Sequence, residues 1–443
     1  MQELMQTATP GKIKLAEIPE PPCPPLQNDS GLDAMLFNTI DPLRQAFHVL
    51  VAKSAWRITP GPQTGQAQLQ EDMSPPPLAD SDLAFAGQDP AAYGWRAESD
   101  LAPYKPLCDV LLAADAIAPG AQALPQFGVR LQVQAGGQAA DAGAILIDKR
   151  LLISGARHFS GSGKDWRLSA PAPISRLPLR HTYACGGSLQ LRAQDPALRH
   201  APAAELLAAP DEQGRSLHLV AQSNPLGQGF ARAWHLQSGT VQSIAAPQIE
   251  YLDQTMDGAA FWRAAESGAL PPSAAPCPLG RAWLPRRQLA GVLPEQRYAA
   301  DEVPFLPPDF DYRYWNCAPA DQQCRYLQSG DLLRLWNLSE ANDPAATLDA
   351  QGNHFLQCSL PPARCVALIT LDVNGEAMLD VQDLQLDTLI YEQAERRFYC
   401  TWRLNLLADP AILSIRLLYV SEPAQIERIN TLQSAQALLA QGA

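Results

Sequence analysis

The carboxylates with the most chemical company are Asp309, Asp311 and Asp321, in the stretch 304–323, PFLPPDFDYRYWNCAPADQQ. Two carboxylates flanking a glycosidic bond can hydrolyse it, and Tyr312, Tyr314 and Trp315 would stack on the sugar rings of such a substrate. The same aspartates can instead cap turns, because a short carboxylate accepts from backbone N–H groups two residues on. The stretch holds four prolines, five aromatics and three aspartates in twenty residues, with neither helical nor strand periodicity. That composition predicts a rigid, shaped loop, since proline fixes φ and aromatic rings anchor irregular backbone by burial. Such loops serve recognition unless reactive groups converge on them. No nucleophile, base and orienting group stand together here, so no catalytic residue is assigned and binding is the expected activity.

Other constellations offer less. Cys317–Cys324 and Cys358–Cys365 share a C-x6-C spacing, whereas structural zinc favours two to four intervening residues. These thiols are expected to be small buried hydrophobes, and no metal site is assigned. Gly161-Ser162-Gly163-Lys164 has the ending of a phosphate loop, but His158 stands where its first glycine belongs and Asp165 where Ser or Thr belongs. Gly227-Gln228-Gly229 lacks the rest of a dinucleotide fingerprint. No cofactor is expected. The seven histidines include no H-x3-H or HExxH pair, and no G-x-S-x-G elbow is present.

Two further stretches share the texture of the Pro-rich loop: Gly94–Pro106 (GWRAESDLAPYKP) and Asn224–Phe230 (NPLGQGF). Lys105 in the first, and Arg286–Arg287 in WLPRR, are cations among aromatics and prolines. A buried ion pair of Lys105 with Asp100 or Asp109, or cation–π packing, is the structural reading. The alternative is an interface anchor, because Arg and Trp dominate hot spots. The candidate partner-binding residues are therefore Trp95, Tyr104, Lys105, Trp283, Arg286, Asp309, Tyr312, Tyr314 and Trp315.

The elements that must carry these loops are mostly strands. Phe47–Ile58, Phe127–Ala135, Ala144–Phe159, Asp331–Leu338, Cys365–Val373, Arg397–Leu406 and Ile412–Val420 alternate or run apolar with β-branched residues. Asn374-Gly375 marks a tight hairpin. Helices are expected only over Ala201–Ala209, Gly258–Ser267 and Pro423–Ala440. The expected fold is mainly β: two sandwich-like halves with long Pro-rich loops and few short helices. Residues 1–35 read as a flexible leader, 36–243 as the N-terminal half, 244–421 as the C-terminal half and 422–443 as a tail, helical or frayed. Residues 60–90 read as a surface loop.

Composition narrows the function classes. The 443 residues carry a net charge of −13 with only 18% charged side chains, which disfavours nucleic acid and anionic lipid as partners. No apolar run is long enough to span a bilayer. The start of the chain lacks the pattern of a signal peptide, and nine cysteines is an odd number. A cytoplasmic protein with reduced thiols is the expectation.

Eight motifs follow in a fixed order: AYGWRAESDLAPYKPLCDVLL, YACGGS (Tyr183–Ser188), NPLGQGF, PQIE (Pro247–Glu250), WLPRRQLAG (Trp283–Gly291), PPDFDYRYWNCAPADQQ, GDLLRLWNL (Gly330–Leu338) and LDTLIYEQAERRFYCTWR (Leu386–Arg403). Over residues 36–420 this order resembles an uncharacterised-domain (DUF-type) adaptor family encoded beside the toxic effectors of bacterial type VI secretion systems. The resemblance implies an adaptor or chaperone that holds a secreted toxin effector and assists its loading onto the VgrG/PAAR spike, with no catalytic residues to transfer. Two departures stand out. The chain reads ACGG at Ala184–Gly187 where an aromatic commonly precedes the glycine pair, and Leu332 follows Gly330-Asp331 where an acidic residue is commoner. The alternatives are a carbohydrate-active enzyme using an Asp pair of the 304–323 loop, and a structural component of the secretion apparatus.

Overall fold

The computed structural model describes residues 22–62, 66–137, 140–208, 216–292 and 306–442. Residues 1–21 of the expected leader, and residues 304 and 305 of the Pro-rich loop, lie outside them. The fold is mainly β, with several sheets and few helices.

The longest strand, Ala46–Pro60, is buried on both faces from His48 to Trp56. It therefore sits inside a sheet, paired antiparallel with Asp33–Ile40 on one side and Arg397–Leu407 on the other. Beyond Arg397–Leu407 come Gln385–Glu392, then Cys108–Ala113 running parallel to it, then the short edge Gln323–Cys324. Ala67–Glu71 joins as the seventh strand on Ala46–Pro60, so part of the expected 60–90 loop is strand. A six-stranded sheet runs in the order Ile249–Tyr251, Ile145–Ser154, Gln126–Gln134, Leu332–Trp336, His354–Ser359, Thr347–Leu348. A four-stranded sheet runs Leu26–Asn28, Ile412–Val420, Arg364–Val373, Glu376–Asp383. Asn374 and Gly375 turn its hairpin with φ of 57° and 86°, the left-handed values that a two-residue turn needs.

One apolar cluster is shared by all three sheets. It takes Leu50, Trp56, Val110 and Trp402 from the first, Val129, Leu131, Leu333 and Leu356 from the second, and Ala367, Ile369 and Ile415 from the third. Both large sheets draw strands from each side of residue 243, so strand pairing crosses the boundary expected between 36–243 and 244–421. Periodicity identifies a strand but says nothing of its partner.

The first and last described elements are both tied in. Leu26–Asn28, within the expected flexible leader, pairs parallel with Ile412–Val420. The tail is the helix Pro423–Gly442. Its Ile429 is buried, and with Ile426 it packs on Val366, Val381 and Val420. Gln436 accepts a hydrogen bond from the edge-strand Val381 N–H at 3.0 Å.

Candidate functional site

Three loop segments, 94–106, 279–291 and 306–323, gather on the outer face of the seven-stranded sheet, and the layer beneath them mixes charged with apolar side chains. Lys53, Asp109, Thr388, Thr401 and Arg403 share this face with Ala55, Leu111, Ile390 and Tyr399 by strand alternation. Lys53 Nζ donates to Asp100 Oδ2 at 2.6 Å, and Thr401 donates to Asp100 Oδ1 at 2.7 Å. Arg403 Nε donates to Asp387 at 2.6 Å, and its Nη2 donates to the Asp100 carbonyl at 2.9 Å. Thr388 links Asp387 to Lys105: its hydroxyl lies 2.9 Å from Asp387 Oδ1 and accepts from Lys105 Nζ at 2.8 Å. Three cations face three carboxylates, all buried. A buried charge is tolerated only when paired and hydrogen-bonded, and this set meets that condition.

Asp109 is the point at which the Pro-rich loop is fastened. Its fully buried carboxylate accepts from Lys105 Nζ at 2.9 Å, Asn316 Nδ2 at 3.1 Å, Cys317 N at 3.0 Å and Ala318 N at 3.2 Å. Burial opposes the Lys105 charge, but the carboxylates of Asp109 and Asp387 outweigh it and raise its pKa. Arg286 performs the same office from the third segment. Its guanidinium donates to the Tyr314 carbonyl at 2.7 and 3.0 Å, to the Leu279 carbonyl at 2.7 Å and to Glu98 at 2.5 and 3.1 Å. Glu98 thereby joins the 94–106 loop to both of the others.

Held this way, the loop presents a group of rings. Tyr104 and Tyr312 meet edge to face at 5.4 Å between centroids. Phe310 contacts Tyr312 at 5.5 Å, Tyr314 at 5.6 Å and Trp315 at 6.4 Å, and Tyr314 lies 5.4 Å from Trp315. Tyr104 is exposed and the other four are half-buried. Asp311 caps the turn of 3-10 helix Tyr312–Trp315. Its hydrogen bond with Arg313 lowers its pKa.

Of the nine candidate partner residues, Tyr104, Tyr312, Tyr314 and Trp315 come together on this platform. Lys105 and Arg286 are buried fasteners beneath it. Asp309, exposed, accepts from Val292 N at 3.0 Å. Trp95 and Trp283 line a separate cleft of about 370 Å³ with Pro90, Val220, Leu226 and Pro278. The three loop aspartates bond to three different partners, for Asp321 receives Lys149 Nζ at 2.8 Å. Cys317, Cys324, Cys358 and Cys365 are buried free thiols. Gly161–Lys164 closes the hairpin between His158–Ser162 and Asp165–Leu168.

Glu98 and Asn316 carry no distinguishing signal in the sequence. Asp109 is more than a partner for Lys105, and a lone carboxylate inside the apolar run CDVLLA is the signal of a buried anchor. The motifs YACGGS and NPLGQGF meet each other: Cys185–Gly186 pairs parallel with Gln228–Gly229. At Gly186, with φ 149°, an added Cβ would lie 2.2 Å from the Asn224 carbonyl oxygen, so only glycine fits. The buried Asn224 amide bonds the His181 and Cys185 carbonyls at 2.9 Å.

The molecule is thus a mainly β protein bearing a rigid aromatic loop platform on an under-layer of mixed charged and apolar side chains. Residues 44–403 match the family described as uncharacterized protein conserved in bacteria (DUF2169), and the chain belongs to that family. No curated protein and no solved structure matches the chain. Among the described residues no helix is long and apolar enough to cross a membrane.

Proposed function

We propose that this protein is a cytoplasmic adaptor or chaperone that binds a type VI secretion effector and assists its loading onto the VgrG/PAAR spike. The observation that supports a binding role is the platform of Tyr104, Phe310, Tyr312, Tyr314 and Trp315. Its rings are partly exposed, yet the backbone under them is fixed through Asp109 and Arg286. Pre-fixed aromatic side chains make effective interface anchors, because little conformational freedom is lost on binding. The ordered motif set adds the secretion context. The carbohydrate reading needs two carboxylates facing one another across a cleft, whereas Asp309, Asp311 and Asp321 are bonded separately, to Val292, Arg313 and Lys149.

The test is co-expression with the proteins encoded beside the gene, followed by affinity capture and size-exclusion chromatography. A stoichiometric complex with one toxin-like neighbour is expected, and Tyr312→Ala with Trp315→Ala should weaken it by roughly thirtyfold or more. Failure of every neighbour to co-elute at low and moderate salt would overturn the adaptor reading.

A further inference from the structure

The six-stranded sheet has one face in the core and one face that, among the described residues, no further layer covers. Val129, Leu131 and Val133 point inward, as do Leu333, Leu335 and Leu356. The alternating residues therefore point out, and register sets them in rows across the strands. One row runs Arg150, Arg130, Trp336, Phe355, and the next runs Asp148, Gln132, Arg334, Gln357. Trp336 and Phe355 are half-buried, with centroids 5.0 Å apart, and the Arg130 guanidinium lies 4.8 Å from the Trp336 ring centroid.

The charge on this face runs against the rest of the molecule. Arg130 and Arg150 share a single carboxylate, Asp148, each through Nε and Nη2. Arg334 is held by amide oxygens alone, those of Gln357 at 2.7 Å, Gln132 at 2.9 Å and Gln134 at 2.7 Å. No carboxylate pairs with it among the described residues. Three guanidiniums against one carboxylate leave two positive charges, on a chain whose net charge is −13. Asp349 stands at the rim of the adjoining cleft of about 290 Å³, bonded within its own turn by Gln351 N and Asn353 N. Counting it, the face remains positive.

We infer that this outer face is a second docking surface, separate from the aromatic platform, and that its occupant is a carboxylate-rich segment of a protein partner. All three cations are arginines, whose planar forks match carboxylates in pairs. Arg334 is pre-oriented by its three glutamines, so it loses little freedom when it takes a carboxylate. Trp336 and Phe355 beside it supply the apolar area that an isolated charge pair lacks. A nucleic-acid occupant fits less well, since a phosphate backbone calls for an extended basic surface and this face offers only three guanidiniums, two of them already on Asp148. The inference does not depend on the proposed function, although an adaptor requires two such surfaces.

The test is fluorescence polarisation of the full chain with a fluorescein-labelled dodecapeptide of alternating glutamate and tyrosine. A lysine–tyrosine peptide and a thymidine dodecamer serve as comparison probes. The glutamate peptide should bind at low salt, and Arg334→Glu should weaken it roughly tenfold or more. Arg334→Gln should also weaken it, while the double variant of Tyr312 and Trp315 to alanine should bind as the parent does. If Arg334→Glu melts early, the outermost cation carries the test as Arg150→Glu. No binding of the glutamate peptide, no loss on removing these arginines, or tighter binding of the thymidine dodecamer would each overturn the inference.

Discussion

At the scale of single residues, the molecule depends on a few polar side chains placed where water does not reach. Asp109→Ala would leave the Lys105 ammonium buried without its carboxylate and strand the Cys317 and Ala318 N–H groups. Breaking a buried pair from one side costs about 3–5 kcal/mol, so the urea midpoint should fall sharply, and the near-ultraviolet spectrum of the loop aromatics should change with it. His181 gives a second expectation. It is fully buried, its Nδ1 lies 2.8 Å from Ser273 Oγ and its Nε2 lies 3.0 Å from the Pro278 carbonyl. Burial drives its pKa from the usual 6.5 down to about 4. The unfolded chain then binds the proton more readily than the folded one. The stability conferred by neutral His181 is whole above pH 6.5 and is lost as pH falls from there toward 4. Denaturation at pH 7 and pH 5 should differ by on the order of 2 kcal/mol from this group, and His181→Gln should shrink the difference. An unchanged difference in that variant would assign the acid sensitivity elsewhere.

At the scale of elements, the C-terminal helix is a cover. It lies on the outer face of the four-stranded sheet and along the edge strand Glu376–Asp383, where Gln436 takes an N–H that would otherwise be open to another chain. Ile429→Ala should destabilise by about 2–5 kcal/mol. Ending the chain after Val420 should expose Val366 and Val381 and drive self-association, which sedimentation velocity would read. Most elements were legible in the sequence, because alternation along Phe127–Ala135 and the Asn-Gly pair are local facts. The tail was not fully legible: Ile426 and Ile429 show helical spacing, but the sheet that receives them is recognisable only in three dimensions. The leader misled for the same reason, since LQN has little to bury and gains its strand by pairing with Ile412–Val420.

At the scale of the whole molecule, the loop stretches were legible as shaped and aromatic, while their footing was not. Nothing in DVLL or LDTL announces that Asp109 and Asp387 belong to one buried set, for they lie far apart in the chain and meet through the parallel pairing of their strands. The outer face of the six-stranded sheet was equally hidden. Arg130, Arg334 and Trp336 became neighbours by register alone.

That parallel pairing has a consequence for how the chain reaches its final form. Cys108–Ala113 is made first, and its neighbour Gln385–Glu392 arrives only after nearly 280 further residues. This fully buried strand, one in from the edge of the largest sheet, must wait, exposed, until that later segment has been made. Contacts this distant in sequence are slow to form and leave apolar edges open meanwhile. The fold is therefore poorly suited to vectorial assembly, and the nascent chain is the stage at which this protein is most exposed to misassociation.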